Sequence, residues 1–327
     1  MSKPKSWEVS DAFWNRVEPL VPVRQRSADK TYRRRAGGGR KPKDARLVFE
    51  AIVHVLRTGC QWKALPPERF GSASAIHARF LEWEKAGFFE ALWKAGLAEY
   101  DDLNGIAWRW QSIDGAMMKA PLAQEAVGPN PTDDRRECDR RECNATADRR
   151  ECDRRECNAT AELCTPVGRR RECTARGKNG SKRHLLVDAR GAPLSLIATA
   201  ANRHDVSHLE AVLVALTMKC PSPPCRRHQH LCADAAYSGA PAAAVMAREG
   251  YLPHVRSRTQ EVRQHMRHPR RRAHRWIVEV AHSWFNRFRK LLVRYEKLER
   301  SFIALNHLAA AIIVLRKVPM KINIIYG

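Results

Sequence analysis

The sequence predicts a mixed α/β protein in which a small helical region precedes a larger domain built on a sheet. Three observations predict this class. The chain has 327 residues, enough for two domains and a full hydrophobic core. Its apolar residues follow a helical period up to about residue 105 and a strand-like pattern from Ile106 onward. Beyond that point short apolar runs and amphipathic stretches succeed one another, which is typical of an α/β sheet.

Residues 1–105 contain three predicted helices. Ser10 is a candidate N-cap for the first, and Asp44 is one for the second, Ala45–Thr58, which Gly59 ends. Ser72 is a candidate cap for a third helix that runs to Lys85. Helix, turn and helix with basic flanks are typical of a helix-turn-helix-like DNA-binding module. The alternative is a plain helical domain that packs on the rest of the protein.

Residues 106–327 form the predicted sheet domain. Trp110–Lys119 predicts a first strand, and two more strands follow, joined by a tight turn at Asp188–Gly191. The later elements, in order, are a helix over Asp205–Leu216, a strand in HLCADAAYSG, a helix over Ala240–Glu249, a short strand YLPHV and a long helical region from about Arg272 to Lys317. We expect the first and fourth strands to be neighbours in a mixed sheet.

Residues 134–175 are a repetitive segment that interrupts this domain. Asp134–Ala147 read DRRECDRRECNATA, and Asp148–Ala161 repeat the same letters. The segment has 11 arginines and 10 acids, so it contributes almost nothing to the net charge, and it has few apolar groups. Its cysteines lack the short spacing of a zinc knuckle. We interpret it as an inserted loop that takes no part in chemistry or packing.

The charge of the chain predicts a polyanionic partner. Lys and Arg number 59 and Asp and Glu 35, which gives a net charge of +24. The excess is clustered, since residues 256–297 hold 13 Lys/Arg and three acids. Such an excess attracts nucleic acid and makes binding salt-dependent. A membrane partner is not expected, because we find no signal-peptide pattern and no uninterrupted apolar span of about 18 residues.

Three acids stand where a basic protein should least tolerate them. Asp114 lies inside the predicted strand WQSIDGAMMK, Asp234 ends an apolar run in HLCADAAYSG, and Glu279 stands in the arginine-rich helical stretch RWIVEVAHSWFNRFRK. Burying such acids is costly unless something positive compensates them, and a divalent cation would keep all three ionised. Carboxylate oxygens suit Mg²⁺, which binds a few carboxylates together with substrate phosphates. The pattern predicts metal-assisted phosphodiester chemistry.

Several motifs, taken in order, resemble one family. They are GRKPKDARLVFEAIVHVLRTGCQWKALPPERFG, SIDG with Asp114, ANRHD, ADAAYSG with Asp234, and RWIVEVAHSWFNRFRKL with Glu279. Each motif is weak alone, but the ordered set, with Arg275 four residues before Glu279, is specific. It resembles the DDE transposases of bacterial insertion sequences, in the IS-five-like group, over nearly the whole chain outside the repeat.

The resemblance implies a catalytic domain with an RNase H-like fold and cut-and-paste DNA recombination. Asp114, Asp234 and Glu279 would be catalytic and would hold two Mg²⁺ ions, for which Mn²⁺ is expected to substitute. One ion would activate water or a DNA 3′-hydroxyl, and the other would stabilise the leaving oxygen. The partners implied are double-stranded DNA, both the element ends and the target, and a second copy of the chain in the DNA complex. The location implied is the bacterial cytoplasm, at the nucleoid.

Five basic residues are candidate DNA contacts. Arg275 and Arg287 flank Glu279 on its helix and are expected to position backbone phosphates. A short basic arm before the second helix, formed by Arg40, Lys41 and Lys43, is expected to contact the element ends.

Other interpretations of the site and of the function stay open. Tyr237 fits either the core or the site. His204 and Asp205 are candidates to approach the site, although a lone His–Asp pair is more typical of a structural role. A catalytically inactive DNA-binding remnant or repressor is one alternative function, if the repeat blocks the site. A nuclease of the same fold that cuts without joining strands is another.

Overall fold

The computed structural model describes residues 7–23, 31, 41–131, 179–218, 220, 229–255, 263, 266 and 275–318. The helices are α1 Asp11–Val17, α2 Ala45–Thr58, α3 Pro67–Phe70, α4 Ala73–Lys85, α5 Phe88–Asn104, α6 Leu209–Val214, α7 Ala240–Arg248, α8 Trp276–Asn286 and α9 Glu299–Leu315. The strands are β1 Trp110–Lys119, β2 Gly128–Pro129, β3 Asn179–Asp188, β4 Pro193–Ala200, β5 Gln229–Ala233 and β6 Tyr251–Val255. The repeat, Arg40 and residues 272–274 lie outside the described residues.

Two of the three predicted helix caps are confirmed. The Ser10 side chain accepts a hydrogen bond from the Phe13 backbone N–H at 3.3 Å, and Asp44 accepts one from Leu47 at 2.9 Å. Gly59 ends α2 with a φ of 73°, a conformation that favours glycine. Ser72 lies at the N-cap position of α4, as predicted, but its side chain makes no capping hydrogen bond there. Tertiary packing of the buried face of α4 stabilises that helix instead.

Helix α5 has no counterpart among the predicted elements. It starts after Gly87, whose φ is 72°, and packs lengthwise against α9 at the other end of the chain. The Trp93 indole on α5 donates to the Pro193 carbonyl of β4 at 3.1 Å. Buried residues from the N-terminal helices and from the sheet belong to one continuous hydrophobic core. The helical region is therefore packed directly on the sheet.

The sheet is mixed, as predicted. Its strand order is β4–β3–β1–β5–β6, and β2 pairs with the start of β3. Strands β1, β3 and β4 are antiparallel neighbours, whereas β5 runs parallel to β1 and β6 parallel to β5. Helices α8 and α9 pack on the antiparallel half, and α6 and α7 pack on β3, β4 and β6. The first and fourth long strands, β1 and β5, are adjacent, as predicted. This adjacency brings Asp114 and Asp234 to neighbouring positions.

The predicted long helical region from about Arg272 to Lys317 consists, in its described part, of two helices, α8 and α9, with a break between them. The backbone N–H of Arg294 donates to the Lys119 carbonyl at 2.8 Å, and Val293 bridges to Lys119 beside the end of β1. The fully buried Arg294 side chain donates to the Ser181 hydroxyl at 2.8 Å. These bonds hold the chain in an extended conformation, which a continuous helix would exclude.

The chain segments on either side of the repeat lie next to each other. Pro129 pairs with Asn179 and Gly128 with Gly180, so the two described ends that flank the repeat start from paired strands. The repeat thus connects positions that a short turn would also connect. Among the described residues, no helix is both long enough and apolar enough to cross a membrane.

Candidate active site

The parallel pairing of β1 and β5 brings two of the predicted acids to one edge of the sheet. Ser112 of β1 is paired with Cys232 of β5. Asp114 lies two residues beyond Ser112, and Asp234 lies two residues beyond Cys232, directly after the end of β5. Residues two apart on a strand point to the same face, so the two carboxylates occupy corresponding positions on adjacent strands.

The Asp114 carboxyl is largely removed from water, and no cation is paired with it among the described residues. Its Oδ1 accepts a hydrogen bond from the Gly115 backbone N–H at 2.8 Å. Burial raises the pKa of Asp114 to about 6, against the opposing effect of that hydrogen bond, and the charges of Asp234, Glu279 and Asp205 raise it further. The site is therefore a place where negative charges accumulate.

Asp234 also has a structural role at the end of β5. Its side chain accepts a hydrogen bond from the Ala236 backbone N–H at 2.9 Å and so caps the short turn Ala235–Tyr237. That turn directs the Tyr237 ring into the core, where it is 1% exposed. Burial, followed by the charges of Asp205, Asp114 and Asp234, raises the pKa of the Tyr237 hydroxyl. Tyr237 thus lies beside the acids as a neutral, buried group.

Glu279 approaches the same edge from α8, the helix that packs on β1 and β3. It lies in the first turn of α8, where the positive end of the helix dipole favours an acid. Arg275, one turn earlier, forms an ion pair with it at 3.4 Å. The Glu279 side chain is 55% exposed, so it is the most accessible of the three acids to a ligand.

A buried basic network anchors α8 beneath the site. The Arg183 side chain of β3 is 1% exposed, lies 4.5 Å from the centre of the Phe285 ring and donates to Asn306 of α9 at 3.3 Å. It also lies 3.3 Å from His282, which is one turn after Glu279. Burial lowers the pKa of His282 to about 3, and the charge of Arg183 lowers it further. His282 is therefore neutral and accepts from Arg183.

Asp205 is a fourth acid near the site, one of the two outcomes that the sequence left open for it. It pairs with Lys182 of β3 at 2.8 Å, and His184 lies 3.7 Å away. A Cβ at Gly115 would come within 2.7 Å of the Asp205 carboxylate. Glycine at position 115, next to Asp114, is thus what lets Asp205 approach β1. The pairing of Asp114 with Leu185, and of Gly115 with His184, puts Asp205 on the opposite face of the sheet from Asp114.

The carboxylates of Asp114, Asp234 and Glu279 are suitable ligands for a divalent cation, although the three do not converge on one position. Among the described residues no group of three His, Cys, Asp or Glu side chains is close enough together to hold a metal ion as it stands. Burial raises the pKa of Asp114, and the negative charges of Asp234 and Glu279 raise it further, so its ionised form is unfavourable without a cation. Acidic oxygens with like-charge repulsion are what a hard cation such as Mg²⁺ relieves. The residues present therefore fit such an ion.

The predicted DNA contacts have different environments. Lys41 and Arg287 are exposed. Lys43 donates to the Phe70 carbonyl at the end of α3, so its ammonium already has a partner within the protein. Arg275 is engaged with Glu279. Arg40 lies outside the described residues.

Two family models match the chain. One, described as "Putative transposase of IS4/5 family", matches residues 9–93, and one described as "Transposase DDE domain" matches residues 159–314. The second match includes Asp234 and Glu279, whereas Asp114 lies between the two matched regions.

Curated relatives agree with these matches. The chain is 30% identical over 132 residues to the "Insertion element IS402 uncharacterized 16.2 kDa protein" of Burkholderia cepacia, covering 40% of this chain and 84% of that protein. It is 31% identical over 126 residues to the "Putative transposase for insertion sequence element IS402" of the same organism, covering 38% of this chain and 57% of that relative. The chain thus spans little more than half the length of that relative. It belongs to the DDE transposases of insertion sequences, in the IS4/5 group.

Solved structures with a distant likeness are also transposases. A pre-cleavage Mos1 transpososome is 10% identical with a TM-score of 0.26, over 91% of this chain and 84% of that chain. The Mos1 mariner paired end complex with Mn is 10% identical with a TM-score of 0.25, over 96% of this chain and 88% of that chain.

Proposed function

We propose that this transposase cleaves DNA at the ends of its insertion sequence and joins the freed strands to target DNA, with Asp114, Asp234 and Glu279 as the catalytic acids. The observation that carries the proposal is the electrostatic environment of Asp114. It is buried at the edge where β1 and β5 lie side by side, and the charges of Asp234 and Glu279 raise its pKa. An acid whose pKa is raised in this way, with further acids near it, is typical of a catalytic site.

Each acid contributes in a different way. Asp114 and Asp234 project from adjacent strands of a rigid sheet, and they define where a cation is held. Glu279 completes the set from α8, and Arg275 beside it binds a backbone phosphate with its guanidinium once DNA displaces part of the ion pair. Bound Mg²⁺, two ions in the resemblance and replaceable by Mn²⁺, would neutralise charge on the phosphate and lower the pKa of an attacking hydroxyl.

The DNA itself is held mainly by sequence-independent charge. The net charge of +24 supplies an attractive field, and Arg287 and Lys41 are exposed on the surface. We assign residues 1–105, with the basic arm of Arg40, Lys41 and Lys43, to contacts with the element ends, and residues 106–327 to catalysis. Two copies of the chain, each holding one end of the element in the bacterial cytoplasm, would form the active complex.

One assay separates this function from its alternatives. The full chain is incubated with labelled duplex DNA that contains the element ends, with a target plasmid and with Mg²⁺. We expect cleavage together with strand transfer. Cleavage without joining would indicate a nuclease. Binding without cleavage would indicate an inactive remnant, which is the outcome expected if the repeat, residues 134–175, blocks the site.

A further inference from the structure

Asp205 lies behind the acidic edge and contacts the chain beside the acids that β1 and β5 carry. On the β1 side its carboxylate is 2.7 Å from the position that a Cβ at Gly115 would take. On the β5 side the helical turn Asp205–His208 packs against the turn Ala235–Tyr237, which follows that strand. From the opposite face of the sheet, Asp205 therefore touches both of the segments that carry these acids.

The contact with β1 bears on the Asp114 carboxylate. The Gly115 backbone N–H donates to Asp114 Oδ1 at 2.8 Å, so the position of this peptide affects the position of the carboxylate. A Cβ at Gly115 would also lie 3.1 Å from Lys182 Cδ and 3.2 Å from His184 Nδ1. Side chains packed this closely leave the Gly115 backbone no room to move toward them. Asp205 and its two neighbours thus hold the hydrogen-bond donor of Asp114 in place.

The contact with the segment after β5 involves Tyr237. Its ring is 1% exposed, and its hydroxyl has no hydrogen-bond partner within the part of the chain that the structure describes. Burial raises the pKa of this hydroxyl, and among the charged neighbours Asp205 has the largest effect, ahead of Asp114 and Asp234. This order indicates that Asp205 is the acid nearest to the hydroxyl. Because the Asp234 side chain caps the turn that carries Tyr237, Asp205 also bears on the position of Asp234.

Asp205 is itself held by side chains that are not part of the acidic edge. Its Oδ1 lies 2.8 Å from Lys182 Nζ, and that ammonium also donates to the Arg203 carbonyl at 2.9 Å. The His184 ring lies 3.7 Å from the same carboxylate, and its Nε2 is 2.8 Å from the Thr199 hydroxyl. Burial lowers the pKa of His184, so its ring is neutral at neutral pH and Lys182 is the cation that compensates Asp205.

Stability alone does not explain an ion pair with so little exposure. The side chains of Lys182 and Asp205 are 9% and 18% exposed. The cost of removing two charges from water offsets much of their attraction, and apolar residues of similar size are often as stable. A buried pair can instead specify one arrangement of the groups around it.

We propose that Asp205, held by Lys182, is a positioning residue that fixes the carboxylates of Asp114 and Asp234 relative to each other for metal binding. The inference rests on the proposed function, in which those acids hold the cation. Groups that lie behind metal ligands orient them, and loss of such a group typically weakens metal binding by roughly tenfold to a hundredfold.

The test measures Mn²⁺ binding by the full chain without DNA, from the electron paramagnetic resonance signal of the free ion. Asp114→Asn identifies the part of the binding that belongs to the acidic edge. We expect Asp205→Asn to weaken that binding roughly tenfold. The control, Glu210→Gln, removes an exposed acid of α6 and should leave Mn²⁺ binding unchanged.

Lys182→Met separates positioning from the charge of Asp205. This variant keeps the carboxylate but removes the cation that holds it. If Asp205 acted only through its charge, loss of a nearby positive charge would tighten Mn²⁺ binding. The positioning role predicts that Mn²⁺ binding becomes roughly tenfold weaker instead. Binding as tight as in the wild type, or tighter, would overturn the proposal.

The double variant, Asp205→Asn with Lys182→Met, separates positioning from stability. Lys182→Met alone leaves a buried acid without its cation and is expected to lower the Tm, whereas the double variant should restore the Tm because neither charge remains. Mn²⁺ binding is expected to stay weak in the double variant. Recovery of Mn²⁺ binding together with the Tm would show that the pair is only structural.

A failure of the proposed function gives a different result. If the wild type and Asp114→Asn bind Mn²⁺ equally, the acids do not form a metal site, and the proposed function fails together with this inference. If Asp114→Asn abolishes binding while Asp205→Asn and Lys182→Met bind as the wild type does, only the positioning role fails.

Discussion

At the scale of single residues, the proposed activity depends on one carboxyl group, that of Asp114, whose environment disfavours its ionised form. Asp114 is held in a rigid strand, and its pKa is raised to about 6 by burial and by the neighbouring acids. The folded protein thus tolerates a charge there only at a cost. A bound cation would remove this cost. The same environment that makes the ionised form of Asp114 unfavourable therefore explains its proposed role as a metal ligand.

We expect Asp114→Asn to stabilise the metal-free protein at neutral pH. The unfolded chain loses the Asp114 proton near pH 4, whereas the folded protein keeps it up to about pH 6. Wild-type stability therefore falls as the pH rises between these values, and the loss persists above them. The variant lacks this loss, so at pH 7.5 its free energy of unfolding should be higher by on the order of 2 kcal/mol.

Urea unfolding in EDTA checks this expectation at pH 7.5 and below pH 4, where the two proteins should be equally stable. Addition of Mg²⁺ should reduce the difference at pH 7.5, because the cation favours the charged wild-type side chain. If Asp114→Asn is less stable than the wild type by the same amount at both pH values, the expected stabilisation at neutral pH is contradicted.

At the scale of elements, the orientation of α8 determines where Glu279 lies. The helix is fixed by Arg183, a buried arginine that contacts His282 and Asn306 from β3. Arg183 carries no acid partner among the described ion pairs, so its burial is not explained by charge pairing. Because Arg183 lies between the sheet and α8, we expect it to position Glu279.

We expect Arg183→Met to reduce DNA cleavage far more than stability. Replacing a buried charge by an apolar side chain of similar length is often neutral for stability. A shift of about 1 Å in Glu279 is nonetheless expected to slow cleavage by on the order of a hundredfold. Cleavage rates and Tm are measured together, with Arg79→Met in α4 as a control for loss of an arginine that stacks on an aromatic ring. Equal losses of both quantities would assign Arg183 to the core alone.

The helices and strands show which features of the fold can be predicted from the sequence. The bounds of β1 and β6 agree with prediction because their apolar residues form short runs bounded by turn residues. The adjacency of Asp114 and Asp234 follows from β1 and β5 being parallel neighbours. The break after α8 was not predictable, because it depends on Arg294 reaching Ser181 across the fold. The approach of Asp205, which the sequence left open, depends on the space that Gly115 leaves for its carboxylate.

At the scale of the whole molecule, the helical region and the sheet share one hydrophobic core. The basic arm before α2 is therefore attached to a rigid body that also holds the acids. We expect that this arrangement does not need the repeat, because the strands on either side of it are already paired, at Pro129 and Asn179.

We expect deletion of residues 134–175, with Asp133 joined to Arg176, to leave the protein at least as stable and at least as active. A shorter loop costs less closure entropy, and the repeat has almost no net charge for DNA and few apolar groups for the core. Tm and strand transfer of the two proteins are compared, and zinc is measured in each. Stoichiometric zinc in the full chain that is lost on deletion together with activity would show that the repeat has a role.

The central claim is that Asp114, Asp234 and Glu279 form one catalytic set. The most direct test measures cleavage of duplex DNA that contains the element ends, in Mg²⁺, by the variants Asp114→Asn, Asp234→Asn and Glu279→Gln. The control is Glu210→Gln, which removes an exposed acid of α6. We expect each of the three variants to bind the DNA as the wild type does and to cleave none of it, while the control cleaves normally. Wild-type cleavage by any one of the three, with DNA binding intact, would remove that residue from the site and contradict the claim.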